Sequence, residues 1–368
     1  MKVITSKTDL VDALSIVNRA VSSRSSIQVL AGVLLDASSE GMTLTATDME
    51  ISIRTPLRGS VEVAGSVVLP ARILTDIARS LAGGEVVLEK QVAGAQLELR
   101  SGESEFALRV LPAEDFPALP VFPLEEGFTV EKNGFLATVD KVAASASKDE
   151  TRPVLTGVLM HVAKNSVRMV ATDSYRLSVK ETPIEASVKE KLQVIVPGRC
   201  LLELSRIGAA LTAEVVTVVS TENQILFEVG NVLLISRLID GQFPNYRQLI
   251  PESFESRALV QRDELAEALS RVRLLAQKSA PVKLVFENGT LTISAQSQDV
   301  GAAKESLPVR YEGEPLEIGF NPEYLLAGAA AVPDEEVDMR FISPLRPGLL
   351  RGNNDDFLYL IMPIRLND

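Results

Sequence analysis

The chain has 368 residues, 37 Lys and Arg against 49 Asp and Glu for a net charge of -12, one cysteine, one histidine and no tryptophan. That length predicts two or three domains. A lone cysteine excludes a disulfide framework, and neither a signal-peptide core in MKVITSKTDL nor an apolar run of about 18 residues occurs, so a soluble cytoplasmic chain without membrane contact is expected. The acid excess argues against nucleic acid unless the basic residues gather on one surface.

The first predicted element is an amphipathic helix with Leu10, Leu14 and Val17 on its apolar face and Thr8 and Asp9 as its N-terminal oxygens. Short β-branched strands follow at Val33 to Leu35, Met42 to Ala46 and Ile51 to Ile53, with Gly41 in a hairpin turn. Pro70 opens a second helix through Leu81, which Gly83 and Gly84 stop. Strands at Glu85 to Leu88, Gln96 to Arg100 and Glu105 to Val110 complete a unit of α+β class, two helices packed on antiparallel sheet.

The same series then returns. VLAGVLL from Val29 recurs as VLTGVLM from Val154, Ala46-Thr47-Asp48 as Ala171-Thr172-Asp173, VVLPARILTDIARSL from Val67 as VIVPGRCLLELSRIG from Val194, and Phe116-Pro117 as Phe243-Pro244. Four matched blocks in one order indicate a duplicated domain. A third copy is fainter: Arg262 to Lys278 aligns with the opening helix, Thr290-Leu291-Thr292 echoes Thr43-Leu44-Thr45, and Asn321 to Leu326 takes the slot of Pro70 to Thr75. Three domains are expected, at residues 1–120, 128–251 and 253–368, each with its own core and few contacts across the Pro-rich stretch Pro112 to Pro123 or across Ile250 to Ser253.

Basic residues recur seven apart: Arg72 and Arg79, Lys141 and Lys148, Arg199 and Arg206, Arg271 and Lys278. Seven residues is about two helical turns, so each pair is expected on one face of one helix. Cations at matching positions in repeated domains predict a continuous surface that contacts phosphates and reads no bases. With aromatic residues at 5% and no tryptophan, duplex tracking is favoured over stacking on single strands.

No catalytic, metal or cofactor site is expected. Asp48 and Asp173 could be read as a carboxylate pair, but Asp after Ala-Thr at a strand end is a turn or cap residue more often than a catalyst, and copying between domains favours structure. His161 alternates with Met160 and Val162 in a strand, Cys200 sits on an apolar helical stretch, and neither GxxxxGK[ST] nor a GxGxxG following a strand occurs.

ATDSYRL from Ala171, DGQFPNYRQLIP from Asp240 and the terminal YLIMPIRL from Tyr359 resemble the β subunit of bacterial DNA polymerase III, the β sliding clamp, and the resemblance runs the whole length of the chain. It implies three DNA-clamp domains per subunit and a head-to-tail homodimer forming a six-domain ring, helices inside and sheets outside. Twelve helices spaced roughly 8–10 Å apart enclose a bore of about 24 Å, wide enough for a duplex. The implied function is to encircle duplex DNA without sequence preference and tether the polymerase III catalytic subunit. A clamp loader and other clamp-motif replication and repair proteins are further implied partners.

The resemblance also assigns residues. A peptide pocket would draw Leu155, Thr172, Ser174, Tyr175, Arg176 and Leu177 from one segment, Pro244 and Leu249 from a second, and Met362, Pro363, Ile364 and Arg365 from the tail, with Arg176 and Arg365 serving as rim cations. DNA contacts would add Arg24 and Arg152 to the eight helical cations. Dimer closure would set Phe106 and Leu108 opposite Leu274 and Leu275. Ser174-Tyr175 stands where many members of the family have Gly-His, and Asn367 and Asp368 extend past the usual terminal Leu.

Overall fold

The computed structural model describes residues 1–22, 26–90, 95–163, 165–184, 191–276, 280–287, 289–297, 299–354 and 356–366. Arg24, Lys278, Asn367 and Asp368 lie outside the described residues. Six helices are found among them: α1 (Lys7–Val17), α2 (Ala71–Ser80), α3 (Lys132–Ala143), α4 (Gly198–Ala210), α5 (Arg262–Val272) and α6 (Pro322–Ala331). Each follows a short strand and precedes a meander of three, so every domain is built from two βαβββ halves, a subdivision the sequence reading did not detect.

Local chemistry sets the helix ends. Ser6, not Thr8, caps α1, its Oγ accepting the Asp9 amide proton at 3.0 Å. Pro70 is the residue before α2, and Asn321 caps α6 by accepting from the Glu323 and Tyr324 amides. The third repeat keeps the order of the first two, although the echo at Thr290 to Thr292 is displaced by two residues. Thr290 pairs with Glu287 where Gly41 pairs with Ser38, which makes Thr290 the counterpart of Gly41 and not of Thr43.

The heptad expectation holds for two helices of the four. Arg72 with Arg79 and Arg199 with Arg206 share α2 and α4, but α3 ends at Ala143, short of Lys148; the partner expected for Arg271 of α5 lies outside the described residues. After α3 the chain turns at Ser145, whose amide donates to Val142 and whose buried hydroxyl meets that of Ser178 at 2.6 Å. A buried hydroxyl takes a side-chain partner and ends the helix there.

The chain divides into two compact units, residues 1–136 with 200–238 and residues 137–199 with 239–368. In the first unit an eight-stranded sheet joins the strand Ile51–Leu57 of the first repeat to Val232–Arg237 of the second, and a five-stranded sheet ends on Ser104–Arg109. In the second unit a nine-stranded sheet joins Arg176–Pro183 to Phe357–Ile361 of the third repeat, and a four-stranded sheet ends on Gly301–Pro308. The expectation of few contacts across the linkers is therefore corrected. Strands pair across both linkers, because an edge left bare would expose a row of backbone donors and acceptors.

Candidate docking site

The copied Ala-Thr-Asp triplet proves to be a turn. Asp173 Oδ1 accepts the amides of Tyr175 and Arg176 at 2.9 and 3.0 Å, while Thr172 Oγ1 accepts from Ser174 N and donates to the Arg176 carbonyl. Asp48 does the same for Glu50 and Ile51, and Thr47 for Met49 and Ile51. Both turns hold a non-glycine residue in the left-handed region, Met49 at φ 76° and Ser174 at φ 79°, a conformation stabilised by the Asx and hydroxyl bonds around it. The carboxylates are structural.

Within the second unit this turn sits beside the C-terminal strand. The Tyr175 carbonyl accepts the Met362 amide proton at 2.8 Å, and Ile364 N donates to Gly319 O at 2.8 Å, which fixes the segment Met362 to Arg365 at both ends. The tail approaches Gly319 so closely that a Cβ there would lie 2.8 Å from the Ile364 carbonyl oxygen and 2.7 Å from Leu366. Tyr175 is 60% exposed, Leu249 54% and Met362 45%, with Pro244 and Arg365 also exposed. Leu155, Pro363 and Ile364 are half-buried. Tyr175 and Met362, joined by that backbone bond and both exposed, put two large adaptable side chains side by side in water.

Three expected pocket residues serve the scaffold. Leu177 is buried with Leu159, Tyr246, Leu349 and Leu360, and Thr172 is buried and bonded within its own turn. Arg176 is no rim cation: its Nε meets Asp173 Oδ2 at 3.0 Å, a second nitrogen donates to the Ala144 carbonyl, and its guanidinium lies 4.4 Å from the centre of the Tyr324 ring. The side chain is only 12% exposed. Ser174 accepts from Arg152 at 3.1 Å, and Arg152 also pairs with Asp149 at 2.9 Å.

Tyr324 and Tyr359 belong to this network and were not found in the sequence. The Tyr359 hydroxyl donates to the Tyr324 carbonyl at 2.8 Å, and burial pushes its phenol up to about 12 against the opposing pull of Arg176. Asn-Pro-Glu-Tyr marks the start of α6 in the sequence, but nothing in one dimension places it against the Asp173 turn.

The expected DNA-contact residues are divided. Arg72, Arg79, Lys148, Arg199 and Arg206 are exposed, and Arg206 pairs with Glu203 at 2.5 Å. Arg271 is exposed but held by Glu305 at 2.7 Å and Glu267 at 3.4 Å. Lys141 departs from the expectation of a solvated cation: it is half-buried, 5.8 Å from the Phe357 ring centre, with its ammonium pushed below the usual lysine value by burial and by Lys180. Of the expected dimer residues, Leu274 is 76% exposed, Phe106 and Leu275 are half-buried, and Leu108 is buried within the first unit.

A separate open depression of about 550 Å³ is lined by Phe254, Arg257, Glu312 and Arg340. Its arginines are already engaged, both bonded to the buried Asp338 at 2.8 to 3.1 Å. Among the described residues no helix is long and apolar enough to cross a membrane.

Known proteins share the whole of this architecture. The profiles described as DNA polymerase III beta subunit, N-terminal, central and C-terminal domain match residues 1–120, 129–245 and 247–365. The chain is similar to the beta sliding clamp of Synechococcus elongatus, 36% identical over 375 residues covering 100% of both chains. It superposes on the crystal structure of the Bacillus subtilis DNA polymerase sliding clamp with a TM-score of 0.93 at 33% identity, and on the Bartonella birtlesii sliding clamp bound to griselimycin with 0.92 at 32%, each over 100% of both chains. With all three domains matched in order, the chain belongs to the family of bacterial DNA polymerase III beta subunits, the β sliding clamps.

Proposed function

We propose that two copies of this chain close head to tail into a ring of six domains that encircles duplex DNA and tethers the replicative polymerase. The supporting observation is the pattern of sheet edges. The first meander of each repeat ends in Ile51–Leu57, Arg176–Pro183 or Gly301–Pro308, and the second meander in Ser104–Arg109, Val232–Arg237 or Phe357–Ile361. Within the chain, Ile51–Leu57 pairs with Val232–Arg237, and Arg176–Pro183 with Phe357–Ile361 in the same register. One strand of each kind, Gly301–Pro308 and Ser104–Arg109, is left on the edge of its sheet.

A second copy supplies both missing neighbours, so that two heterologous contacts close the ring and hide every such edge. Carried onto this contact, the internal register sets Phe106 opposite Ala303 and Glu105 opposite Lys304. Exposed Leu274, with Leu275, supplies apolar cover for Phe106, while Leu108 supports the strand from its own core.

Retention is then topological and needs no tight grip. Arg72, Arg79, Lys148, Arg199 and Arg206 touch phosphates without reading bases, and acid neighbours temper Arg206, Arg271 and Arg152. An overall charge of -12 keeps other nucleic acid off the remaining surface. The domains divide at 1–120, 128–251 and 253–368. The protein works in the cytoplasm as a non-catalytic subunit without cofactor or metal.

Polymerase, clamp loader and repair proteins dock at the surface made by Tyr175, Pro244, Leu249 and the segment Met362 to Arg365, and the griselimycin complex of the Bartonella relative supports a ligand site on this fold. Changing Met362 and Arg365 together to Ala should abolish binding of polymerase-derived peptides while the solution mass stays near twice 39.8 kDa. Unchanged peptide affinity would refute the placement.

A further inference from the structure

Next to the apolar row that Tyr246 covers, the nine-stranded sheet carries a charged one. His161, Arg168 and Glu181 lie two residues from Leu159, Val170 and Val179 on the same face, and the register sets His161 beside Arg168 and Arg168 beside Glu181. Glu181 is engaged within the row, its Oε1 accepting from Ser166 at 2.7 Å and its Oε2 from Arg168 Nε at 2.9 Å. Two more cations press on the imidazole: Lys191, two residues before Gln193, the other strand neighbour of His161, and Arg247 from the turn Tyr246–Leu249. Both are exposed, and neither is joined to a carboxylate among the described residues. The Arg247 guanidinium lies 6.0 Å from the centre of the Tyr246 ring, and the Tyr246 phenol adjoins Arg168.

Three cations therefore surround His161 against one carboxylate, on a chain whose net charge is -12. Like charges gathered beside a half-buried imidazole repel one another, and an outside anion relieves that repulsion. The position favours a peptide carboxylate. Arg247 lies between Pro244 and Leu249 of the proposed docking surface, so the charged row continues that surface. Leu177 and Glu181 are four residues apart on one strand, about 13 Å, a distance that about four residues of extended peptide span. A nucleic-acid strand carries a phosphate at every nucleotide and would run past so short a row onto an acid-rich surface.

We infer that Arg168, Lys191 and Arg247, with His161, form a subsite for the carboxylates of an acidic peptide segment. Its place in partner docking rests on the role proposed for Tyr175, Leu249 and Met362, whereas the binding of acid itself does not. An anion drawn to this row also stabilises the charged imidazole, so acidic peptide and proton reinforce each other's binding. Among the described residues Arg168, Lys191, Arg247 and Glu181 are the charged groups that face the ring, with neutral Gln193 on its other side. None of these titrates between about pH 5.5 and 8, so His161 sets the pH dependence, and affinity for acid should rise as pH falls through its midpoint.

The test uses untagged full-length protein labelled with 13C-histidine, whose single imidazole gives one resonance, and acetyl-tetraglutamate amide at low salt as the probe. Saturating peptide should raise the pH midpoint of that resonance by at least about 0.3, which corresponds to about twofold tighter binding to the charged ring. Lys191→Gln with Arg247→Gln should abolish the shift, and so should Lys191→Glu alone, at an exposed position outside the core. No shift in the unmodified protein, or one that survives these substitutions, overturns the inference. So does an equal shift from a thymidine oligonucleotide of the same charge, which marks general attraction of polyanions. Met362→Asp should leave the shift in place, because the probe has no apolar anchor; failure of peptide docking at Met362 is thus read separately, and loss of the shift in that variant overturns the inference.

Discussion

Asp173 holds Arg176 by two routes at once: one carboxylate oxygen accepts its backbone amide at 3.0 Å and the other accepts its Nε at 3.0 Å. A single side chain thereby fixes both the turn and the guanidinium that stacks on Tyr324. Replacing Asp173 with Ala should cost about 2–3 kcal/mol in denaturant unfolding, because charge-assisted bonds are lost and a largely buried cation is left unpaired. Asp48→Ala should cost less, about 1 kcal/mol, since Ile51 stands where Arg176 does and brings no charge. Equal losses at the two sites would show that the ion pair adds nothing.

Gly319 lies where the tail crosses the strand Leu316–Phe320, and a Cβ would enter the space of Ile364 and Leu366. Gly319→Ala should displace residues 362–366 and weaken peptide binding by roughly tenfold, with a global stability loss of about 1–2 kcal/mol. Calorimetric titration with a polymerase-derived peptide reads the first effect and urea unfolding the second. Full peptide affinity would mean that the tail is not positioned by this contact.

His161 is the sole histidine, and burial, with Arg168, Lys191 and Arg247 adding repulsion, lowers its pKa below the usual 6.5. The folded state therefore binds this proton less readily than the unfolded chain does. Stability should be fully present above about pH 6.5 and should fall as pH drops through the folded value. His161→Gln should flatten the change in stability between pH 7.5 and pH 5.5; an identical slope in the variant would assign it elsewhere.

Glu105 and Lys304 are expected to face each other across the subunit contact. Reversing either charge should weaken the dimer, and reversing both should restore it, with a coupling of about 0.5–1 kcal/mol as for cross-strand ion pairs. Analytical ultracentrifugation of the three variants checks this. Additive effects would place a different pair of residues opposite one another.

Repetition made the architecture legible: four blocks copied in order mark two equivalent domains, and the fainter matches at Arg262 to Lys278 and Asn321 to Leu326 mark a third, without any contact being known. The order of α5 and α6 survives even where Ala-Thr-Asp is absent. Strand pairing across the linkers was not legible: the partner of Arg176–Pro183 lies some 180 residues away, and alternation of apolar residues does not name the neighbour of an edge. Within the proposed docking site, Tyr175, Leu249 and Met362 follow from the family motifs, and all three are exposed. Arg176 looked like a rim group because its sequence neighbours do not reveal Asp173 bending back beneath it or Tyr324 arriving from α6. Lys141 misled for a similar reason, since helical spacing gives a face but not the Phe357 ring that covers it.

Retention on DNA tests the central claim most directly. Protein loaded onto nicked circular duplex should stay bound through a high-salt wash that removes charge-held proteins, and should be lost once the circle is cut, because a ring leaves over a free end. Equal loss from circular and linear DNA at the same salt would contradict encirclement.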